Sequence, residues 1–279
     1  MTLPPNHDRN NMLPIAVLIA TKPRPEFLNQ YALPAVEAQQ RKPDMILVVS
    51  DERPFTVAEQ DMWRGLTPSV KVVFGQNQNS QGAAGTWNTG FLILNKYFED
   101  CYVAIIDDDD HWHTDHLAFC EATSKNGQAD VVLSGINVVH GKTILASNTP
   151  DNISEGDFLT GNPGWQGSNT FIRLSTALRI GGYTDGLISC NDRDFAIRAL
   201  QIDDLDIQYT HRVTVDWHIN QSPDGLSAIG SDQKLKGSAQ FLKLHDKKMS
   251  PFQREQFFRR MESHFGLSKT TIEQTAQGI

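Results

Sequence analysis

The sequence predicts an α/β protein: a mixed, mostly parallel sheet flanked by helices, followed by a C-terminal helical extension. Two observations carry this. Four short runs, Ile15–Ala20, Met45–Val49, Val70–Phe74 and Tyr102–Ile106, are nearly continuously apolar, as strands buried on both faces are. Between them lie segments with helical spacing of apolar residues, the βαβ order of a parallel sheet. A third observation bounds the class. With 39% hydrophobic and 21% charged residues in 279, the composition is that of an ordinary globular protein. No apolar run approaches the ~18 residues that cross a bilayer.

Taken in order, residues 1–13 are polar and Pro/Asn-rich and read as a flexible tail. Their first stretch, MTLPPNHDRNN, lacks the basic-then-apolar pattern of a signal peptide. After the first strand, Pro25-Glu26 opens a helix bearing Phe27, Leu28, Tyr31, Ala32, Ala35 and Val36, which Pro34 is expected to kink. The third strand runs into a Gly/Asn/Gln loop, GQNQNSQGAAG, and a helix near Thr86–Lys96 leads to the fourth. Val131–Val139 and Thr143–Ala146 predict strands around a turn at His140-Gly141. Asn162–Asn169 reads as a loop, Thr170–Arg173 as a strand, Asp192–Gln201 as a helix and Val213–Trp217 as a strand. Two helical patterns close the chain. Without an internal repeat or long linker, one domain is expected over 14–218, with an extension over 219–279.

Net charge is −8, from 25 basic and 33 acidic residues, which argues against a nucleic-acid partner. The charge is uneven: Gln233 to Lys269 holds nine basic and three acidic residues, leaving 16 against 30 elsewhere. Cys101, Cys120 and Cys190 are far apart and form no CxxC pair. No disulfide framework or cysteine zinc site is expected, and a reducing cytoplasm fits best.

The chemistry concentrates in Asp107-Asp108-Asp109-Asp110, directly after the buried run YVAII. Four carboxylates there repel one another unless a positive charge joins them. Side chains alternate in an extended chain, so Asp107 and Asp109 share a face and suit a hard divalent cation, Mg²⁺ or Mn²⁺. Ligands of open α/β sheets bind at such strand ends. The competing reading is a solvated acidic loop, or a cap for a helix over His113–Glu121. His111, His113 and His116 lie near, without the helical spacing of a zinc site.

These residues resemble a known family. IAVLIATKPRPEFL, ILVVSDE, the WNTGF segment and VAIIDDDDHWHTDHL are similar to the nucleotide-sugar half of family 2 glycosyltransferases, which have a GT-A, Rossmann-like fold. GGYTDGLISCNDRDFAIRAL resembles that family's acceptor-side segment. The resemblance implies a nucleotide-sugar half over 14–113 and an acceptor half over 114–218. It implies donor binding by Thr21, Arg24, Asp51, Asn88, Asp107 and Asp108, metal binding by Asp109 and His218, and acceptor binding by Trp165, Asn169 and Asn191. Asp192 takes the place of the catalytic base. Ser50-Asp51-Glu52-Arg53 departs from the family's Asp-Asp-Gly-Ser, and Trp87-Asn88 and Asn191-Asp192 stand where it has Arg-Asn and Glu-Asp. From the residues alone, Asp51 is equally a turn residue, Asp192 a helix-terminus residue, Trp165 a core residue and His218 a structural histidine.

The reading that follows is Mn²⁺- or Mg²⁺-dependent transfer of a sugar, from a UDP-sugar by preference, to an acceptor hydroxyl. Asp192 is the general base and the anomeric centre inverts. The acceptor is a glycan, a lipid-linked sugar or a protein. Two alternatives remain. A sugar nucleotidyltransferase should carry a Gly-rich phosphate loop where Thr21-Lys22-Pro23-Arg24-Pro25 stands, and a non-catalytic sugar- or metal-binding module would keep the fold alone. In the basic C-terminal segment, Ser227–Gly237 reads as a mobile loop whose Lys234 and Lys236 fold over the donor diphosphate. Phe257, Phe258, Met261 and Phe265 recur at helical spacing beside Arg254, Arg259 and Arg260. They read either as a helix packed on the sheet or as peripheral contact with the inner face of a membrane.

Overall fold

The structure, a computed structural model, describes residues 12–219 and 230–279. The tail expected over 1–13 lies almost wholly outside the described residues, as does the start of the loop expected over Ser227–Gly237. Nine strands form one mixed sheet among the described residues. They are β1 (Ile15–Thr21), β2 (Met45–Ser50), β3 (Val72–Gln76), β4 (Tyr102–Asp107), β5 (His111–Trp112), β6 (Val131–His140), β7 (Thr143–Asn148), β8 (Thr170–Arg173) and β9 (Ile207–His218). Their order is β3-β2-β1-β4-β8-β6-β9-β5, with β7 beside β6. The β1, β2, β3 and β4 pairings are parallel, as expected, and β6 also runs parallel to β9. The short β8 is antiparallel to both β4 and β6 and joins the two halves into one sheet.

The helices are α1 (Pro25–Gln30), α2 (Ala32–Glu37), α3 (Val57–Leu66), α4 (Ala83–Leu94), α5 (His116–Thr123), α6 (Glu155–Thr160), α7 (Leu174–Ile180), α8 (Asn191–Ala199), α9 (Asp232–His245), α10 (Pro251–Phe265) and α11 (Lys269–Gly278). They cover both faces. Alternate residues of β1 enter opposite cores: Ile15, Val17 and Ile19 pack with α2 and Trp63, and Ala16 and Leu18 pack with α4 and the C-terminal helices. That two-sided burial is why the strands read as unbroken apolar runs.

Register sets the site. Thr21 lies opposite Ser50 across β1–β2, and Ala20 opposite Asp107 across β1–β4. The chain steps outward from β1 through β2 to β3, then returns to the other side of β1 for β4. The carboxyl ends of β1 and β4 therefore flank the crevice where strand order reverses, the usual ligand position in such sheets.

Three differences from the sequence reading have physical causes. The helix opened by Pro25 breaks at Tyr31, not at Pro34. Pro34 sits in the first turn of α2, where its missing N–H costs no helical hydrogen bond. β9 starts six residues before Val213, along a polar stretch that β6 pairs. Lys234 and Lys236 lie in α9, not in a loop: the Ser231 hydroxyl caps the helix by accepting the Lys234 N–H at 3.1 Å. Of the basic helical stripe, Phe257, Phe258 and Met261 are buried, so this apolar face is spent on the core.

Gly237, inside α9, allows that helix to meet the segment before Asp192. A Cβ there would collide with the Ser189 backbone nitrogen and side chain. Gly237→Ala should therefore lower stability by about 1–3 kcal/mol, as overpacking does. Urea unfolding followed by circular dichroism measures this, and an unchanged midpoint would show that the α9–Ser189 contact is not tight.

Candidate active site

β4 ends on Asp107, and Asp108–Asp110 follow in a turn instead of the extended chain the sequence predicts, closed by the Asp110 N–H on the Asp107 carbonyl at 3.2 Å; the four carboxylates divide into an inward and an outward pair. Asp108 and Asp110 turn inward and are 2% and 1% exposed. Asp108 is held from the end of β1: Thr21 Oγ1 donates to it, and Arg24 donates through Nε at 3.1 Å and through Nη2. Asp110 accepts from Ser168 Oγ at 2.5 Å and from the His218 backbone N–H at 2.8 Å. Asp107 and Asp109 are half-buried and face the crevice. Arg24 Nη2 also lies 3.8 Å from Asp109, so one guanidinium serves two carboxylates.

Electrostatics follow from this crowding. Burial, then repulsion from Asp109, Asp192 and Asp108, holds the Asp107 carboxyl well above the ordinary carboxylate range. Burial also raises Asp109 and Asp110. It pushes Asp108 up to about 6, against the pull of Arg24. The cluster holds more negative charge than Arg24 offsets.

Asp192 and Asp194, in the first turn of α8, have opposite environments. Asp194 accepts from Thr184 Oγ1 at 2.7 Å and Arg198 Nε at 3.0 Å, and pairs with His245 Nε2 at 2.9 Å. Despite its burial, these partners hold it below the usual range. Asp192 Oδ1 is buried and finds no partner among the described residues. Burial pushes Asp192 up to about 7, opposed by Lys234. Asp192 raises both Asp107 and the buried Tyr183 phenol, so its charge lies near the strand-end carboxylates. The left-handed Cys190 (φ 65°) turns the chain into α8.

The other predicted residues fall into two groups. His218 joins the cluster: its Nδ1 lies 3.1 Å from the Asp109 carbonyl oxygen. Thr21 and Arg24 join it through Asp108. Asn191, 7% exposed, begins α8 with its Oδ1 unpartnered among the described residues. Asp51 Oδ1 instead accepts from Asn77 Nδ2 at 2.9 Å, the Gly82 N–H at 2.8 Å and Thr86 Oγ1 at 2.9 Å, fixing the loop before α4. Asn88 is spent on the Tyr183 backbone, with both contacts at 2.8 Å. Trp165 is 1% exposed, and its indole N–H donates to Thr170 Oγ1 at 3.0 Å. Asn169 is fully buried and donates to the Ser134 and Gly164 carbonyls. Trp165 and Asn169 thus present no surface to an acceptor. Lys234 is buried near Cys190 and Lys236 is exposed, so the two do not act together over a diphosphate.

Residues the sequence reading did not single out complete the site. Ser168 donates to Asp110, accepts the Asp107 N–H at 3.0 Å, and through its carbonyl accepts Trp112 Nε1 at 2.7 Å. Gly167 packs beside the Asp107 carboxylate, which a Cβ there would meet at an ordinary contact distance of 3.5 Å. A cavity of about 210 Å³, lined by Pro54, Phe55, Gln60, Phe74, Gly75 and Gln76, shares no residue with the cluster and carries no titratable group.

No group of three or more His, Cys, Asp or Glu side chains among the described residues is arranged to hold a metal ion. The donor set fits a cation held partly by a ligand: Asp109 with the adjacent His218 offers one or two contacts, and Mg²⁺-type ions bound with phosphates need no more from protein.

No protein-family model matches the chain, and neither does any curated protein sequence. Solved structures share its fold. S. aureus TarS 1–349 in complex with UDP-GlcNAc aligns with a TM-score of 0.62 at 16% identity, over 92% of this chain and 74% of that one. S. aureus TarS aligns with a TM-score of 0.60 at 17% identity, over 92% and 44%. The mannosyltransferase PcManGT from Pyrobaculum calidifontis, in complex with GDP-Man and Mn²⁺, aligns with a TM-score of 0.55 at 16% identity, over 97% and 75%. At these identities the likeness establishes the fold, and the chemistry rests on the residues.

Arg24→Gln should expose how far the cluster depends on one cation. Losing Arg24 raises Asp108 above about 6 in the folded state, while its unfolded value stays near the ordinary ~4. Stability is then lost as pH rises through that window, so the variant should trail wild type most at pH 8 and least at pH 4.5. The expected loss at pH 8 is about 2 kcal/mol, below the ~3–5 of a fully buried pair because the Arg24 side chain is 28% exposed. Thermal melts at the two pH values decide it: equal losses at both would mean Arg24 acts by packing. Adding Asp108→Asn should restore stability.

Proposed function

We propose that the chain transfers a sugar from a nucleoside diphosphate sugar, a UDP-sugar by preference, to an acceptor hydroxyl. The observation that carries this is the pairing of two opposed sites across the crevice. On one side, strand-end carboxylates hold excess negative charge. On the other, the buried, unpartnered Asp192 carboxyl is poised near 7. Fold neighbours bound to UDP-GlcNAc and to GDP-Man with Mn²⁺ support the donor class.

The donor lies at the carboxyl ends of β1, β2 and β4, with its diphosphate toward Asp107 and Asp109. Mn²⁺ or Mg²⁺, held by Asp109 and His218, would neutralise the leaving diphosphate as a Lewis acid. Thr21 and Arg24 act from behind, fixing Asp108 so that its neighbours project into the crevice. On the acceptor side, the Asp192 carboxylate takes the proton of the attacking hydroxyl. A base near 7 is efficient because it is deprotonated at working pH and still basic enough to accept. Attack from the side opposite the leaving group inverts the anomeric carbon in a single displacement. The acceptor is a glycan, a lipid-linked sugar or a protein. A nucleotidyltransferase is disfavoured by the end of β1, where Arg24 is committed to Asp108 and no Gly-rich loop cradles a phosphate.

Asp109→Asn should abolish the Mn²⁺ dependence of UDP binding, measured by calorimetry, without changing the fold. Asp192→Asn should bind UDP and Mn²⁺ as wild type does and lose transfer by roughly 10²-fold or more. Wild-type kcat should rise with pH through about 7 and then level, since the base must lose its proton. Near-normal transfer by Asp192→Asn, or a flat profile from pH 5 to 9, would remove Asp192 from the mechanism.

A further inference from the structure

Beside Asp192, whose carboxyl feels Lys234, the structure gathers three cations that make no salt bridge to a carboxylate among the described residues. Lys234 of α9 and Arg193 of α8 are 8% and 6% exposed, and Arg260 of α10 is half-buried. Arg193 donates through Nε to the Phe158 carbonyl at 2.8 Å and through Nη2 to the Leu159 carbonyl at 3.0 Å. Its guanidinium stacks 4.1 Å from the Phe241 ring, leaving Nη1 4.0 Å from Cys190 Sγ. Lys234 Nζ lies 4.3 Å from the Phe265 ring and 4.0 Å from the same sulfur. Arg260 crosses Gly161, where a Cβ would lie 3.7 Å from its guanidinium. Burial and the nearby Arg260 hold Arg193 below its ordinary range.

Buried charges persist where something compensates them. Among the described residues the anionic candidates facing this cluster are few: the Cys190 thiol, which Lys234 and Arg193 pull toward thiolate against its burial, and Asp192, which feels Lys234. A thiol and a carboxyl poised near 7 are poor counter-ions for three cations. Two arginines and a lysine converging from three helices are, however, the donor set that recognises oxyanions.

We propose that Lys234, Arg193 and Arg260 form an anion subsite on the acceptor side of Asp192, so that the acceptor carries a phosphate or carboxylate near the hydroxyl that receives the sugar. The inference rests on Asp192 as the base and concerns a place separate from the donor carboxylates. Cys190 is its resting counter-ion, displaced in that role by the acceptor's anion.

The test saturates wild type with UDP and Mn²⁺, filling the donor site, and titrates glycerol 3-phosphate, glucuronate and neutral glycerol by calorimetry. At least one anion should bind and glycerol should not, and which anion binds tells phosphate from carboxylate. Lys234→Met, which replaces the buried ammonium by an apolar side chain of similar length, and Arg260→Gln should each weaken anion binding about tenfold or more, while UDP affinity holds. Cys190 gives a second readout. Burial pushes the Cys101 thiol up to about 12 and raises Cys120 further, so iodoacetamide should modify Cys190 first, and the bound anion should slow that reaction. Absent anion binding, or binding that both variants leave intact, overturns the proposal. So does weakened UDP binding with anion binding unchanged, which would give these cations to the donor. If UDP and Mn²⁺ do not bind at all, the glycosyltransferase reading fails, and the same titrations without nucleotide still decide whether the subsite exists.

Discussion

The site depends on keeping four consecutive carboxylates at the end of one buried strand. The fold makes this tolerable by treating alternate residues differently. Asp108 is tied to Thr21 and Arg24 from the end of β1, and Asp110 to Ser168 and the His218 N–H. These inward carboxylates join three distant parts of the chain. The outward pair, Asp107 and Asp109, keeps its charge in the crevice, where burial and mutual repulsion make a cation or a proton welcome. Structural and reactive carboxylates thus alternate along four residues because β4 ends at Asp107 and the turn after it, closed by the Asp110 N–H on the Asp107 carbonyl, buries Asp108 and Asp110.

The same separation recurs in α8. Asp192 and Asp194 are two residues apart, yet one lacks a partner at Oδ1 and the other is held by Thr184, Arg198 and His245. Two carboxylates whose environments push their proton affinities apart mark a division of roles. His245 comes from α9 and holds Asp194, and Gly237 of α9 packs on Ser189, so the C-terminal extension shapes the surroundings of Asp192 instead of trailing behind the domain. Its basic character follows in part. Lys248, Arg254 and Arg259 pair with Glu155, Asp246 or Glu273, and Glu255 at the surface, while Lys234 and Arg260 turn inward.

What was legible in the sequence is what local patterns encode. The four parallel strands showed as apolar runs because both of their faces are covered, and the acidic cluster showed because no ordinary strand end ends in four aspartates. Less legible was whether a polar residue in a Gly/Asn-rich loop serves a ligand or its own backbone. Asn169, Asn88 and Asp51 carry the residue types of a sugar site, but backbone groups far along the chain engage them, carbonyls for the two asparagines and an N–H for Asp51. Trp165 could equally have been pocket or core, and its indole N–H found Thr170. The start of α9 looked like a loop because Gly237 and the small residues around it meet another segment closely, a contact that composition does not show. Pairing of β6 with β9, which places His218 beside Asp109, is likewise set by partners far apart in sequence.

Across the crevice the two sides want opposite charges. Around β4 the excess is negative and calls for a cation; around α8, α9 and α10 it is positive and buried. Asp192 stands between, raised by burial and lowered by Lys234. A chain of net charge −8 offers an anionic acceptor no long-range attraction, so recognition has to come from short-range contacts. Buried cations provide these with little screening by salt, unlike a basic outer face. In the proposed reaction they would also couple recognition to chemistry: an anion that offsets Lys234 relieves its pull on Asp192 and raises that carboxyl's affinity for the proton it is to accept.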